Sequence, residues 1–333
     1  MLNGVGSPHW QPVNLIYGLL FAGVLTFFYF LFRGCLTGEE DREYVCRIVA
    51  LMSLIAFLQL LITYINRYYA GTFLEYYYLE KTWYPNRNAA NLGWGVATSV
   101  GGILVLGVPA AMYLATRNRR GWLWCLFALA LTAMSILVGS RSSAVSAVVF
   151  FVICLLVGCF GGENQKQLRT ILLVFAGVLT AGIALVVLRV GYSYLMGYVR
   201  LDKILEDSRW KLWTTAWEDL KSAPLFGVGF EKGAFPIEQR FNNVFSNMYH
   251  GIIPQFYGAM GILGICALAK HLFDLGKATF RRFSAEKLLL AAVPGMILAM
   301  SMVDNFFFYA NYQFVYCLFL ALIEKTDEKR LAQ

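Results

Sequence analysis

The sequence predicts an all-α, polytopic integral membrane protein: a helical bundle of about nine transmembrane helices, with one long extracytoplasmic loop carrying an amphipathic helix. Three observations lead there. Charged side chains make up only 14% of the 333 residues, against about 25% in ordinary soluble domains. Hydrophobic residues make up 59% and aromatic residues 16%, with a mean hydropathy of +0.58. Apolar runs long enough to cross a bilayer, about 20 residues each, recur along the chain. Together these exclude a disordered chain, a nucleic-acid-binding domain with a basic surface, and a soluble Rossmann or barrel enzyme.

In order, the runs fall at 13–36, 46–65, 92–116, 121–138, 143–160, 170–190, 247–269, 288–304 and 306–323. Asp304, Asn305, Asn311 and Gln313 interrupt the last two. The first run is too long for a cleaved signal peptide and has neither a basic leading region nor a small-residue cleavage pattern. The 7 cysteines form no CxxC pair and read as small apolar packing residues.

Orientation follows from the cations, because loops rich in Lys and Arg stay cytoplasmic. The tight connector Arg117-Asn118-Arg119-Arg120 sets the inside. Alternation then places Arg33, Arg42, Arg47, Lys166, Arg169, Lys270, Lys277, Arg281, Arg282, Lys287, Lys325, Lys329 and Arg330 inside as well, with the N-terminus outside. The net charge of +8 therefore reflects topology rather than a polyanionic partner. The organisation expected is a six-span bundle over 1–190, a long outer loop over 191–246, a three-span bundle over 247–323 and a cytoplasmic tail over 324–333. A second outer segment, 66–91, is rich in Tyr and Trp, which suits either a membrane-interface belt or stacking on sugar rings.

Within the long loop, 201–221 has helical periodicity. Leu201, Leu205, Leu212, Trp213, Ala216 and Leu220 share one stripe, and Lys203, Asp207, Lys211, Glu218 and Lys221 lie opposite. Arg209 sits inside the apolar stripe, so it either snorkels from an interfacial helix or turns inward for a ligand. A guanidinium fork suits two phosphate oxygens at once. Pro224 ends this helix, and Gly227 and Gly229 follow, either as an anion-binding backbone nest or as a turn re-entering the bundle. Arg141, in Gly139-Ser140-Arg141-Ser142-Ser143, stands at the outer mouth of a tight hairpin. It is an interface anchor or lines a polar cavity. Of the 3 histidines, His250 alone falls at the outer edge beside the long loop, at the start of span seven and on one helical face with Asn247. It can serve as a general base or as a polar cap. No HExxH, Walker loop, paired-carboxylate loop or His/Cys cluster is present, so no metal site and no cofactor are expected.

These pieces, in this order, resemble the O-antigen polymerase and ligase superfamily of bacterial envelope polysaccharide enzymes. Pro85-Asn86-Arg87-Asn88-Ala89-Ala90-Asn91-Leu92 is similar to the family's short Asn motif, and Leu137-Val138-Gly139-Ser140-Arg141-Ser142 to its hairpin Ser-Arg motif. Arg209-Trp210, the helix ending before Pro224-Leu225-Phe226-Gly227-Val228-Gly229-Phe230, and Ser246-Asn247-Met248-Tyr249 resemble its long-loop signature, with a glycine-spaced run from Gly258 to Gly264 after it. The resemblance covers about residues 85–270. Ligases of the family usually carry a His before the Asn that is Asn247 here, whereas this chain has Ser246, with His250 one turn later. Members usually have ten or more spans and a cytoplasmic N-terminus, whereas this sequence reads as nine spans starting outside.

The resemblance implies a GT-C-like multi-span glycosyltransferase in the bacterial plasma (inner) membrane, with its active site facing the extracytoplasmic side. The donor would be a glycan on undecaprenyl diphosphate and the acceptor another lipid-linked glycan. Membrane lipids and a chain-length regulator would be further partners, and nucleic acid would not. Arg141, Arg209 and His250 are then the catalytic candidates, the arginines stabilising the departing diphosphate without a metal. Arg200, Lys211, Asn247, Asn88, Gly227 and Gly229 are the substrate-binding candidates, with Lys203 as a further loop cation. Glu218, Asp219 and Glu231 are alternatives to His250 as the base. A polymerase joining repeat units is the first reading. A ligase moving finished glycan to a lipid, wall or protein acceptor is the second. A non-enzymatic transporter of lipid-linked glycans is the third, although no clear repeat relates the two halves.

Overall fold

The computed structural model describes residues 12–36, 39–71, 97–161, 165–174, 177, 208–229, 248–281 and 283–329. Among them there is no strand, because a backbone surrounded by hydrocarbon satisfies itself most simply as helix. The elements are α1 (Pro12–Cys35), α2 (Glu39–Tyr69), α3 (Ala97–Arg117), α4 (Gly121–Leu137), α5 (Arg141–Gly161), α6 (Ser208–Ser222), α7 (Ile252–Phe280), α8 (Ala285–Ser301), a 3-10 turn (Phe306–Phe308) and α9 (Ala310–Lys329). A further helical stretch covers 165–174.

Among the described residues, Glu40–Tyr69, Ala97–Arg117, Arg141–Gly161 and Ile252–Phe280 are long and apolar enough to cross a membrane, and Leu19–Cys35 and Gly121–Leu137 are shorter apolar helices. The chain is an all-α polytopic membrane protein. Its outer surface agrees: Ile48, Leu51, Ile55, Leu58, Ile62 and Ile65 recur every three or four residues along α2 and are all exposed. Such a stripe is costly in water and ordinary against lipid. The sixth expected run, 170–190, lies almost wholly outside the described residues.

Among the boundaries that differ from expectation, three shape the site. Span seven begins at Ile252 rather than 247, because His250 has a left-handed backbone (φ 50°) that no α-helix can include. His250 therefore does not sit on a helical face shared with Asn247, which itself lies outside the described residues. The eighth helix stops at Ser301, which leaves Asp304 in the turn beyond it. The ninth starts at Ala310 after the 3-10 turn. Asp304 and Asn305 thus lie in the connection rather than within a span, whereas Asn311 and Gln313 fall inside α9.

The chain forms two compact units. One holds 37–202 with 283–296, and the other 1–36 with 203–282 and 297–333. In the first, α3 is the core: every residue from Val100 to Thr116 is buried, with α2, α4 and α5 packed on it. The Ser53 hydroxyl on α2 donates to the Ile103 carbonyl at 2.7 Å, a polar link between two apolar helices. At one end of this unit, Glu286 Oε1 accepts from Arg42 at 2.8 Å, Arg117 at 2.9 Å and the Tyr113 hydroxyl at 3.0 Å. One carboxylate thus ties the start of α2, the end of α3 and the start of α8. Arg42 is 5% exposed, so removing its anionic partner strands a desolvated cation.

In the second unit α1 packs along α9, where Tyr29 donates to Glu324 at 2.6 Å and Arg33 pairs with Glu324 at 3.0 Å. The other contact is α6 on α7, and it depends on a break in α7. Gly261 has φ 66° and a non-helical ψ, so the Ile262 and Leu263 amides lose the Gly258 and Ala259 carbonyls as ladder partners. The loop after α6 takes both sides of that gap. Ile262 N donates to Pro224 O (2.8 Å) and Leu263 N to Leu225 O (3.2 Å), while Val228 N donates to Gly258 O (3.1 Å) and Gly229 N to Ala259 O (3.0 Å). The break costs no unsatisfied groups because a second backbone has been inserted into the ladder. Gly227 (φ 72°) and Gly261 make the approach possible, since a Cβ on Gly261 would lie 2.5 Å from the Phe226 nitrogen.

Two stability measurements follow. Gly261→Ala combines a left-handed backbone with a steric clash and should cost at least about 2 kcal/mol, seen as a lower Tm of the purified protein. Gly276→Ala, on the same helix with nothing within 4 Å of the added carbon, should leave Tm unchanged or slightly raised. Glu286→Gln should cost about 3 kcal/mol by stranding Arg42, and a Tm equal to that of the unsubstituted protein would show that the cluster carries no such weight.

Candidate functional site

Helix α6 presents the stripe the sequence shows. Leu212 and Ala216 are buried against Tyr249 and Ala259, with Trp213, Tyr257 and Met260 packed around them, and Leu220, one turn on, is buried as well. Residues 201–207 lie outside the described part. Two cross-links fix α6 against the entrance of α7: Trp213 Nε1 donates to the His250 carbonyl at 3.3 Å, and the Tyr257 hydroxyl donates to the Trp213 carbonyl at 3.0 Å. A third runs from the Tyr249 hydroxyl to Asp219 Oδ2 at 2.7 Å, with both groups buried. Burial first, and the neighbouring carboxylate second, push the Tyr249 phenol well above its usual pKa, so it stays a donor. Asp219, one of the candidate bases, is thus engaged as an acceptor inside the packing, while Glu218 beside it is exposed.

His250 is held in an uncommon conformation. Its carbonyl is taken by Trp213, and the preceding Tyr249 amide donates to the buried Gln255 side chain at 3.0 Å. A non-glycine residue kept at positive φ by its surroundings is a frequent mark of a working site. Gly251 then passes close to the turn after α8, where an added Cβ would lie 3.1 Å from the Met302 carbonyl. That proximity brings His250 Nδ1 to 3.7 Å from Asp304 Oδ1. Asp304 is 7% exposed, and its Oδ1 also accepts from the Asn305 amide at 2.8 Å. The turn carrying it is braced by Ser301, whose hydroxyl accepts from Phe307 N at 2.8 Å and donates to Ile297 O at 2.6 Å.

Arg209 is half-buried at the start of α6, and its charge is the least of the influences on the Asp304 carboxyl, which is held below its usual pKa. The structure thus pairs the His250 imidazole with the buried Asp304 carboxylate, and Arg209 lies on the helix whose Trp213 binds the His250 carbonyl. Asp304 was not among the residues expected at the site. Its signal was present as a carboxylate interrupting an apolar run, and an ionisable residue in such a place is a functional candidate by default.

The other expected residues are placed as follows. Arg141 is exposed at the first position of α5 and belongs to the other unit. The serines around it pack among themselves: Ser140 Oγ caps α5 by accepting from Ser143 N (3.4 Å) and lies 2.9 Å from the buried Ser143 hydroxyl. Lys211 is exposed on the side of α6 away from the buried stripe. Gly227 N donates to Ala223 O, and Gly229 N is used in the splice onto α7. Arg200, Lys203, Glu231, Asn88 and Asn247 lie outside the described residues. Among the described residues no three His, Cys, Asp or Glu side chains are grouped to hold a metal.

Residues 126–269 match the protein family described as O-antigen ligase, which bears out the resemblance to the O-antigen polymerase and ligase superfamily over that stretch. The matched stretch includes Arg141, Arg209 and His250, and ends before Asp304. No curated protein matches the chain.

The Tyr249–Asp219 bond can be separated from the site it supports. Tyr249→Phe leaves a buried carboxylate oxygen without its donor and should cost about 1–3 kcal/mol, read as a lower Tm. His250→Ala removes a side chain that is one-third exposed and should shift Tm much less. A larger loss from His250→Ala than from Tyr249→Phe would mean that His250 is a packing residue.

Proposed function

We propose that this protein is a polysaccharide polymerase that joins undecaprenyl-diphosphate-linked glycan repeat units at the outer face of the bacterial plasma membrane. The observation that carries the reading is the approach of His250 to the buried Asp304 beside the helix that bears Arg209, together with the family match over 126–269. In the reaction an acceptor hydroxyl oxygen bonds to the anomeric carbon of the donor sugar. The bond from that carbon to the phosphate oxygen breaks, and the diphosphate leaves with the electron pair.

Each group has a share in this. Asp304 faces His250 Nδ1 at 3.7 Å, which leaves Nε2 as the nitrogen to take the acceptor proton. Arg209 supplies positive charge for the leaving diphosphate in a partly desolvated place, where a fixed cation needs no reorganisation. Lys211 and Arg200 add cations along the same loop, and Asn247 and Asn88 add polar contacts to sugar. Arg141 is the second arginine that the family resemblance assigns to the diphosphate. Ser246, standing where ligases of the family usually carry His, favours polymerase over ligase.

Purified protein given only lipid-linked repeat units should lengthen them. His250→Ala should slow lengthening by about 10²–10⁴-fold, and Arg209→Ala and Arg141→Ala by at least about 10²-fold each, with the protein still in the membrane. In cells lacking the protein, single repeat units on the final acceptor identify a polymerase, whereas a bare acceptor with accumulated lipid-linked polymer identifies a ligase. Intact lipid transport without lengthening would overturn the enzymatic reading.

A further inference from the structure

In the unit built on α3, the connector between α3 and α4 forms a recess of about 730 Å³ lined by Asn118, Arg119, Arg120, Leu123 and Trp124. It lies at a membrane surface. The apolar helix α4 has 17 residues, about 26 Å at 1.5 Å per residue, which nearly fills the ~30 Å hydrocarbon core. Trp122, Leu123 and Leu126 on its first two turns are exposed, as suits side chains that meet lipid near the interface.

The cations of this connector are of two kinds. Arg117 stands in the last turn of α3, where the helix dipole is negative, and pairs with Glu286 at 2.9 Å. Asn118 closes the same helix end, its side-chain amide donating to Leu114 O at 3.0 Å. Arg119 and Arg120 stand instead just before α4, where the dipole is positive. Both are exposed, and no carboxylate among the described residues pairs with either. The first turn of α4 contains no acid, and no side chain caps it, Arg120 being the N-cap residue itself. Two cations at the positive end of a helix oppose its dipole, and an anion there relieves both. Membrane orientation calls for cations in the loop, but not for two of them without an acid at a helix start beside a recess.

We propose that this recess binds the headgroup of an anionic phospholipid. The phosphate sits before the start of α4 between Arg119 and Arg120, because a phosphodiester offers the paired oxygens that a guanidinium fork takes. Leu123 and Trp124 receive the glycerol and the first methylenes, and the acyl chains continue down the exposed face of α4 past Leu126. A soluble phosphate would use the arginines but not this apolar wall, which is why the occupant is a lipid. A zwitterionic head carries a cation of its own beside the phosphate, so two arginines without an acid favour a head of net negative charge. The site belongs to the unit without Arg209, His250 and Asp304, and it does not depend on the glycosyl-transfer reading.

The test is native mass spectrometry of the full-length protein titrated with phosphatidylglycerol or with phosphatidylcholine of the same acyl chains. A basic residue at an anionic membrane surface contributes about fivefold, so the unsubstituted protein should bind its first phosphatidylglycerol at least about tenfold more tightly than phosphatidylcholine. The double variant Arg119→Gln/Arg120→Gln, altered only at exposed positions, should bind the two lipids within about twofold of each other, with its Tm unchanged. Lys166→Gln removes an exposed cation of the same unit that does not line the recess, and should keep the preference. Equal affinity for the two lipids in the unsubstituted protein overturns the proposal, as does an undiminished preference in the double variant. An equal loss in Lys166→Gln would mark diffuse surface charge rather than a site, and overturns it too. Inorganic phosphate at the concentration of the lipid should leave phosphatidylglycerol bound. Displacement would assign the recess to a soluble anion and overturn the lipid as its occupant.

Discussion

The backbone splice at the break in α7 is the constraint on which the second unit depends. A membrane helix cannot break without exposing two amides and two carbonyls to hydrocarbon, and each such group costs several kcal/mol when unpaired. Here the Pro224–Gly229 loop supplies two carbonyls and two amides to match. The same four bonds register α6 against α7, which sets Trp213 over the His250 carbonyl and Tyr249 over Asp219. The polar residues at the mouth of α7 are thus positioned by backbone geometry set a few turns away.

Once α6 and the mouth of α7 are fixed, electrostatics is economical. Two sets of charges stand out in this unit: His250 lies 3.7 Å from Asp304, and Arg33 with Glu324 and Lys270 with Asp274 form ion pairs. Between them, His271 Nε2 and the Tyr316 hydroxyl, 2.5 Å apart, pair with each other among apolar side chains. The other unit uses its buried charge differently, as a single carboxylate that ties three helix ends around Glu286.

Much of this was legible in the residues. Low charge and recurring apolar runs gave the class, and the stripe of Leu212, Ala216 and Leu220 gave the buried face of α6. Arg209, a cation inside that stripe, pointed to a site. What periodicity could not give was any feature made by two distant segments. The run through 252–280 reads as one uninterrupted helix, because the ladder exchange at Gly261 depends on a loop some thirty residues earlier. His250 reads as a helical position, because its positive φ is imposed by Trp213 and Gln255. Asp304 reads as a blemish in a span, because its role appears only when Gly251 passes Met302. Sequence pattern reports local structure, whereas the site is made by long-range contacts.

The proposed joint action of Arg209, His250 and Asp304 on a lipid-diphosphate donor is tested by release of undecaprenyl diphosphate in single-turnover experiments with a double-mutant cycle. Asp304→Asn, His250→Ala and the double variant are compared with the unsubstituted protein. If Asp304 acts through His250, the double variant should be no slower than His250→Ala alone, with Asp304→Asn slowing release by itself. Multiplicative losses in the double variant, or release unaffected by either substitution, would contradict the account.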